Sequence, residues 1–220
     1  QLAKEYNINC DIVGNLNFEV AHHPSFFDSM KEDSNNLTKY FGIKTKSYTK
    51  EEFNSIGHTG SEQYGAVSYE PGCALNPLKF LLGIAKACYD NKVKLFSNSK
   101  VLKVEKTQNG YLVITKMGNI LCKKIVFAVN GFYQDNFLPQ FKNRILPAIS
   151  NIIVTKKLSN DELKMHNFLT LNPILNARNL LFYYRLLPDN RILFGARGDL
   201  NGSKESSLKM SYWIEKRFKE

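Results

Sequence analysis

No stretch of this 220-residue chain is long and apolar enough to span a bilayer, and no charged segment leads into a short apolar run as in a signal peptide. Its four cysteines, Cys10, Cys73, Cys88 and Cys122, lie far apart and form no CxxC pair. Together with His22, His23, His58 and His166 they complete no zinc spacing, so no metal is expected. The thiols read as small buried side chains in a reducing compartment, which points to the cytoplasm. Internal repeats and low-complexity tracts are also missing. So is any GxGxxG, and without it these residues hold no glycine fingerprint for seating a pyrophosphate at a helix N-terminus.

What is present suits a folded domain: 43% hydrophobic and 23% charged residues. The formal net charge is +10. A nucleic-acid surface could use such charge, but the Lys residues are spread along the chain and no Arg-rich stripe interleaves with aromatics. The charge therefore reads as compositional bias, and no nucleic-acid or membrane partner is expected. The chain opens on Gln1 with a helical pattern under way and stops inside another, Ser206 to Glu220. Both ends are expected to be cuts through a longer protein.

Pro24 to Tyr40 is amphipathic at helical spacing, with Gly42 as its stop. Thr49 to Glu52 carries a capping signal for a short helix. "YGAVSYEPGCALNPLKFLLGIAKACYDN" reads as strand, loop and helix, with Asn76 at the N-cap and Pro77 at the first helical position. Leu78, Leu81, Leu82, Ala85 and Cys88 repeat along that helix, and "VKLF" follows as a short strand. Two strands then meet at Asn109-Gly110, another turn falls at Met117-Gly118, and Ile125 to Val129 reads as a fully buried strand. The last third is strand-rich: "RILPAISNIIVTKKL" is one long strand, and "NLLFYYRLL" and "RILFGARG" are joined by the turn Pro188-Asp189-Asn190. A short helix over Asp161 to His166 interrupts them.

This order predicts an α/β (α+β mixed) fold. Residues 71–138 are expected to form part of a Rossmann-like nucleotide-binding sheet with a β-meander. Residues 139–220 should form an antiparallel β portion with a terminal helix, and residues 1–70 a lead-in contributing to it.

Three stretches carry a family resemblance: "GCALNPLKFLLGIAKACYDNKVKLFSNSKVLKVEK", "KKIVFAVNGF" and "NLLFYYRLLPDNRILFGAR". In order and spacing they resemble the FAD-dependent oxidoreductases that include D-amino-acid, glycine and sarcosine oxidases, and most of all the gamma-glutamylputrescine oxidoreductase branch. The resemblance implies FAD as cofactor, a small amine or amino acid as substrate, and oxidation of a C–N bond by hydride transfer. It leaves the oligomeric state open.

The same resemblance assigns residues. Val101 matches a position whose backbone contacts adenine, where a β-branched residue at a strand start holds one N–H and one C=O still. Read alone it is an ordinary strand residue. Ala128, Val129, Asn130 and Gly131 match a small-residue turn that lets backbone approach the cofactor; a plain strand-to-loop turn is the alternative. Tyr184 matches a tyrosine presented to the substrate above the flavin, with Tyr183 on the opposite face. Two aromatics in a sheet core are the plainer reading. Arg185 and Arg197 could clamp a carboxylate bidentately, and Arg197 is taken with Tyr184 as the catalytic pair.

The departures are the missing GxGxxG, the missing C-terminal flavin segment, and Asn76 or Ala74 where that branch commonly has His. They leave two alternatives standing, a non-catalytic relative and a basic nucleic-acid-binding module.

Overall fold

The computed structural model describes residues 1–132, 143–145, 149–199 and 203–218, with the side chains of 197–199 outside that set. The chain divides into two compact units, Gln1–Gly83 with Ile149–Glu220, and Ile84–Ala148. The first and last stretches of sequence thus share one unit.

The larger unit is built on a mixed sheet. Its strand order is β2(Lys44–Tyr48), β3(Ala66–Glu70), β1(Asn17–Val20), β8(Ile174–Asn176), β9(Phe182–Leu186), β10(Ile192–Asp199), β7(Ile149–Val154). Every neighbouring pair is antiparallel except β1 and β8. Alternation along β9 sends Phe182, Tyr184 and Leu186 into the core, where they join Phe18, Val20, Phe53, Ile174, Phe194 and Ile214. On the other face, Met30 and Phe27 of α2(Pro24–Phe41) cover Val67 and Tyr69. Core aromatics meet edge to face, as Phe18 does with Phe53 at 5.1 Å between centroids.

Several sequence signals fold as read. Gly42 ends α2 in the left-handed region at φ 65. Thr49 opens α3(Lys50–Ile56) and Ser159 opens α5(Asn160–Met165), each with a complete capping box. The Asn76 side chain accepts the Lys79 N–H at 3.2 Å and caps α4(Pro77–Asp90). The terminal helix is α6(Lys204–Arg217).

The smaller unit holds the meander β4(Val101–Thr107), β5(Gly110–Thr115), β6(Asn119–Cys122). Its hairpin differs by one residue from the expected Asn109-Gly110 turn: Thr107 pairs with Gly110, so Gln108 and Asn109 form the loop. Gly110 sits at φ 145, where an added Cβ would collide with the Cys122 carbonyl oxygen, so only glycine fits there.

Two expected strands do not form. Val93 to Phe96 and Ile125 to Val129 have no strand assignment, and Val126 is 88% exposed. A strand buried on both faces needs neighbours on both edges and cover above and below. Among the described residues no strand pairs with either run. Among the described residues of 71–138 the regular elements are α4 and the meander, and the β-α-β unit read there lacks the strand expected at Val93 to Phe96. No described helix is long and apolar enough to cross a membrane.

Candidate functional site

The larger sheet has two chemically different faces. Strand register places Glu19, Leu175, Tyr183, Gly195 and Ile152 in one transverse row on the face opposite the core. Arg185 follows two residues along β9 on the same face. Helix α2 covers the β2–β3 half of this face, through Val67 and Tyr69. Over the β8–β9–β10–β7 half, Leu175, Ile152 and Val154 stay exposed.

Three polar features stand on that face. The Tyr183 and Ser150 hydroxyls share a short hydrogen bond. The Tyr183 ring lies over Gly195, in the space a Cβ would occupy, so the glycine is what lets the ring sit against the strand. Arg185 donates from Nη2 to the Leu75 carbonyl at 3.1 Å, and partial burial lowers its pKa. One hydrogen bond leaves a guanidinium with further donors for a ligand. At the boundary with the covered half, Tyr69 donates to the Glu19 carboxylate at 2.9 Å. Burial first, and then the Glu19 charge, raise the Tyr69 pKa, so that phenol stays a donor.

Tyr184 lies on the opposite face. It is 8% exposed, and its hydroxyl is 2.8 Å from Nε2 of the buried His58. Phe168, Phe194 and Phe218 enclose the pair. Burial pushes the His58 imidazole down to about 4 and the Tyr184 phenol up, so both are neutral near pH 7. Arg197 pairs through its backbone with Ser150, while its side chain lies outside the described residues. The open face of the sheet thus carries Tyr183 and Arg185, while Tyr184, to which the family resemblance points, lies on the core face.

Sequence parity could have shown this, because Arg185 is in step with Tyr183 while Phe182 and Leu186 are in step with Tyr184. Glu19 escapes a sequence reading as well, although Phe18 and Val20 flank it as inward residues. The half-buried cluster in which Glu62 accepts from both Arg178 and Arg217 at 2.6 Å, with both guanidinium groups against Phe182, has no local signal at all.

The cofactor-side candidates all lie in the smaller unit. Val101 opens β4 opposite Thr115, and the register shifts between Val101 and Lys103. Ala128 and Val129 are exposed, and Asn130 turns the chain at φ 51, with Phe132 N–H donating to the Val129 carbonyl at 3.1 Å. An exposed small-residue turn and a strand start with an irregular ladder can offer backbone groups to a flat ring. These residues fit one end of FAD, while the pyrophosphate fingerprint is not among them. Among the described residues no group of His, Cys, Asp and Glu could hold a metal.

A cavity of about 900 Å³ opens beside β7, α5 and α6, walled by Leu158, Leu163, Phe168, Ile192, Ile214 and Phe218. It also contains Lys156 and Glu162, which are 2.8 Å apart and spent on each other. Its chemistry is mostly that of the core, so the open sheet face is the stronger candidate site.

Comparison with known proteins agrees with this architecture. Gamma-glutamylputrescine oxidoreductase of Escherichia coli (strain K12) is 28% identical over 205 residues, covering 92% of this chain and 46% of the relative. Glycine oxidase from Geobacillus kaustophilus superposes with a TM-score of 0.76 at 15% identity, covering 98% of this chain and 58% of that one. L-proline dehydrogenase from P. horikoshii gives 0.72 at 18%, covering 97% and 58%. The chain spans just under half the length of the curated relatives it matches. The sequence profile of the FAD dependent oxidoreductase family matches residues 1–219, and the chain belongs to that family.

Proposed function

We propose that this chain is the central portion of a flavoenzyme that oxidises a C–N bond of a small amine or amino acid. The reading rests on one observation: the open face of the larger sheet carries an ordered polar row, Tyr183 with Ser150 and Arg185 beside it. The names of the similar proteins, which concern a putrescine derivative, glycine and proline, support the same class.

FAD, when bound, supplies the acceptor for the hydride that leaves the carbon bearing the nitrogen. The chain's own residues place and polarise the substrate. Arg185 draws a substrate carboxylate onto its planar fork, with Arg197 as a second candidate by register. Tyr183 gives an apolar wall and a hydroxyl held by Ser150, so the substrate meets a fixed surface and little ordering is left for the reaction itself. As the carbon loses hydride the nitrogen loses a proton, and water hydrolyses the resulting imine to a carbonyl compound and free amine. Val101 and the Ala128–Gly131 turn serve the adenine end through backbone groups. Four free thiols agree with a cytoplasmic setting.

The test is to purify the full-length protein and the 220-residue chain side by side. The full-length protein should be yellow and bleach anaerobically with an amine substrate, and Arg185→Lys should lower kcat/KM for carboxylate-bearing substrates roughly tenfold or more. The 220-residue chain alone should bind FAD weakly or not at all. A flavin that no amine or amino acid reduces would overturn the reading.

A further inference from the structure

Glu19 is a charged group on a strand whose inward residues are apolar, and the core gains nothing from it. Its neighbours Phe18 and Val20 are buried, while Glu19 points to the open face at the edge of the α2 cover. The Tyr69 hydroxyl holds it from the covered side at 2.9 Å, which fixes the carboxylate without neutralising it. No cation of the protein is paired with it among the described ion pairs. Two strands away in the same row stands Tyr183, with Leu175 between them, and Arg185 lies two residues further along β9.

We propose that Glu19 reads a second, non-reacting cationic group of the substrate, and that Glu19 and Arg185 together select amino acids with a cationic side chain. The inference rests on the reading of this face as the substrate face. With strands ~4.8 Å apart and a rise of ~3.3 Å per residue, the Glu19 and Arg185 α-carbons are roughly 12 Å apart. A compact amino acid lying on the sheet covers little of that separation. One with an ammonium at the far end of its side chain spans most of that distance. Its carboxylate sits on Arg185, its distal ammonium on Glu19, and its α-carbon passes over Leu175 and Tyr183. Glu19 does not serve the reacting nitrogen, because a carboxylate there would hold it protonated and withhold the lone pair that imine formation needs.

The test uses the full-length holoenzyme with lysine and norleucine, a pair matched in chain length and differing in the distal charge. Each is followed by steady-state kinetics and, anaerobically, by the substrate-dependent change in flavin absorbance. Wild type should prefer lysine, and Glu19→Gln should raise its KM about tenfold or more while norleucine changes less than about twofold. Glu19→Asp withdraws the carboxylate by one methylene and should move the preference toward homolysine. Tyr69→Phe, which frees the carboxylate without removing it, should give a smaller loss on lysine. Equal losses on lysine and norleucine, or none on either, would defeat the proposal even while the enzyme still oxidises amino acids. If neither these substrates nor any other amine reduces the flavin, the functional reading fails first, which is a separate result.

Discussion

The smaller unit is the more apolar of the two in sequence, yet the larger one buries far more of its apolar residues. In the larger unit Phe53, Ala66, Val67, Ile174 and Phe194 are fully enclosed, while in Ile84–Ala148 the described side chains include one buried hydrophobic, Val113. The smaller unit leaves Tyr89, Leu95, Phe96, Leu121 and Val126 exposed. Apolar residues are therefore no measure of a core. Seven strands with helices on both faces can close over their side chains, and a three-stranded meander cannot. A pair of truncations tests this difference in burial most directly. Phe194→Ala should cost about 3–5 kcal/mol in urea unfolding, through lost burial and a residual cavity. Val126→Ala should cost less than about 0.5 kcal/mol, as expected of a surface change. A comparable loss at both sites would mean that Val126 has cover, and that the difference between the units is false.

A second contrast concerns charge. The larger unit encloses His58 where water cannot solvate an imidazolium, and its pKa falls from 6.5 to about 4. The folded state therefore takes up its proton later than the unfolded chain does as pH drops. Stability from this group is complete above pH 6.5, falls between 6.5 and about 4, and levels off below, with a slope of up to ~1.4 kcal/mol per pH unit. Urea midpoints at a series of pH values should show that decline, and His58→Gln should flatten it. An unchanged slope in the variant would assign the decline to other groups.

Much of the architecture was legible because its signals are local. Capping boxes at Thr49 and Ser159, Gly42 after α2, and the turn at Pro188 to Asn190 each fix a boundary through a few adjacent residues. Strand β8, three residues long, and its parallel pairing to β1 carry no such mark, since the pairing joins Phe18 to Ile174 across most of the chain. Ile125 to Val129 shows the opposite failure. Its composition is that of a buried strand, yet burial depends on neighbours that composition does not supply. At the site, family resemblance leads to Tyr184, whereas the parity of Arg185 with Tyr183 marks the polar face.

The adjacent tyrosines of β9 make the finest comparison, because one bond in each is removed by the same change. In Tyr184→Phe the buried His58 loses the partner of its Nε2, and the enclosing phenylalanines admit no water to replace it. The expected cost is about 1–3 kcal/mol in thermal or urea unfolding. In Tyr183→Phe the lost partner is the exposed Ser150 hydroxyl, which water can satisfy, so stability should change by less than about 0.5 kcal/mol. Activity of the full-length enzyme should rank them the other way. Tyr183→Phe removes a hydroxyl from the row proposed to meet substrate and should lower kcat/KM, while Tyr184→Phe weakens the fold and should leave kcat/KM of the folded fraction near wild type. If Tyr184→Phe instead lowered kcat/KM at full stability, the core face would be the one that meets substrate, and the two faces of the sheet would exchange roles.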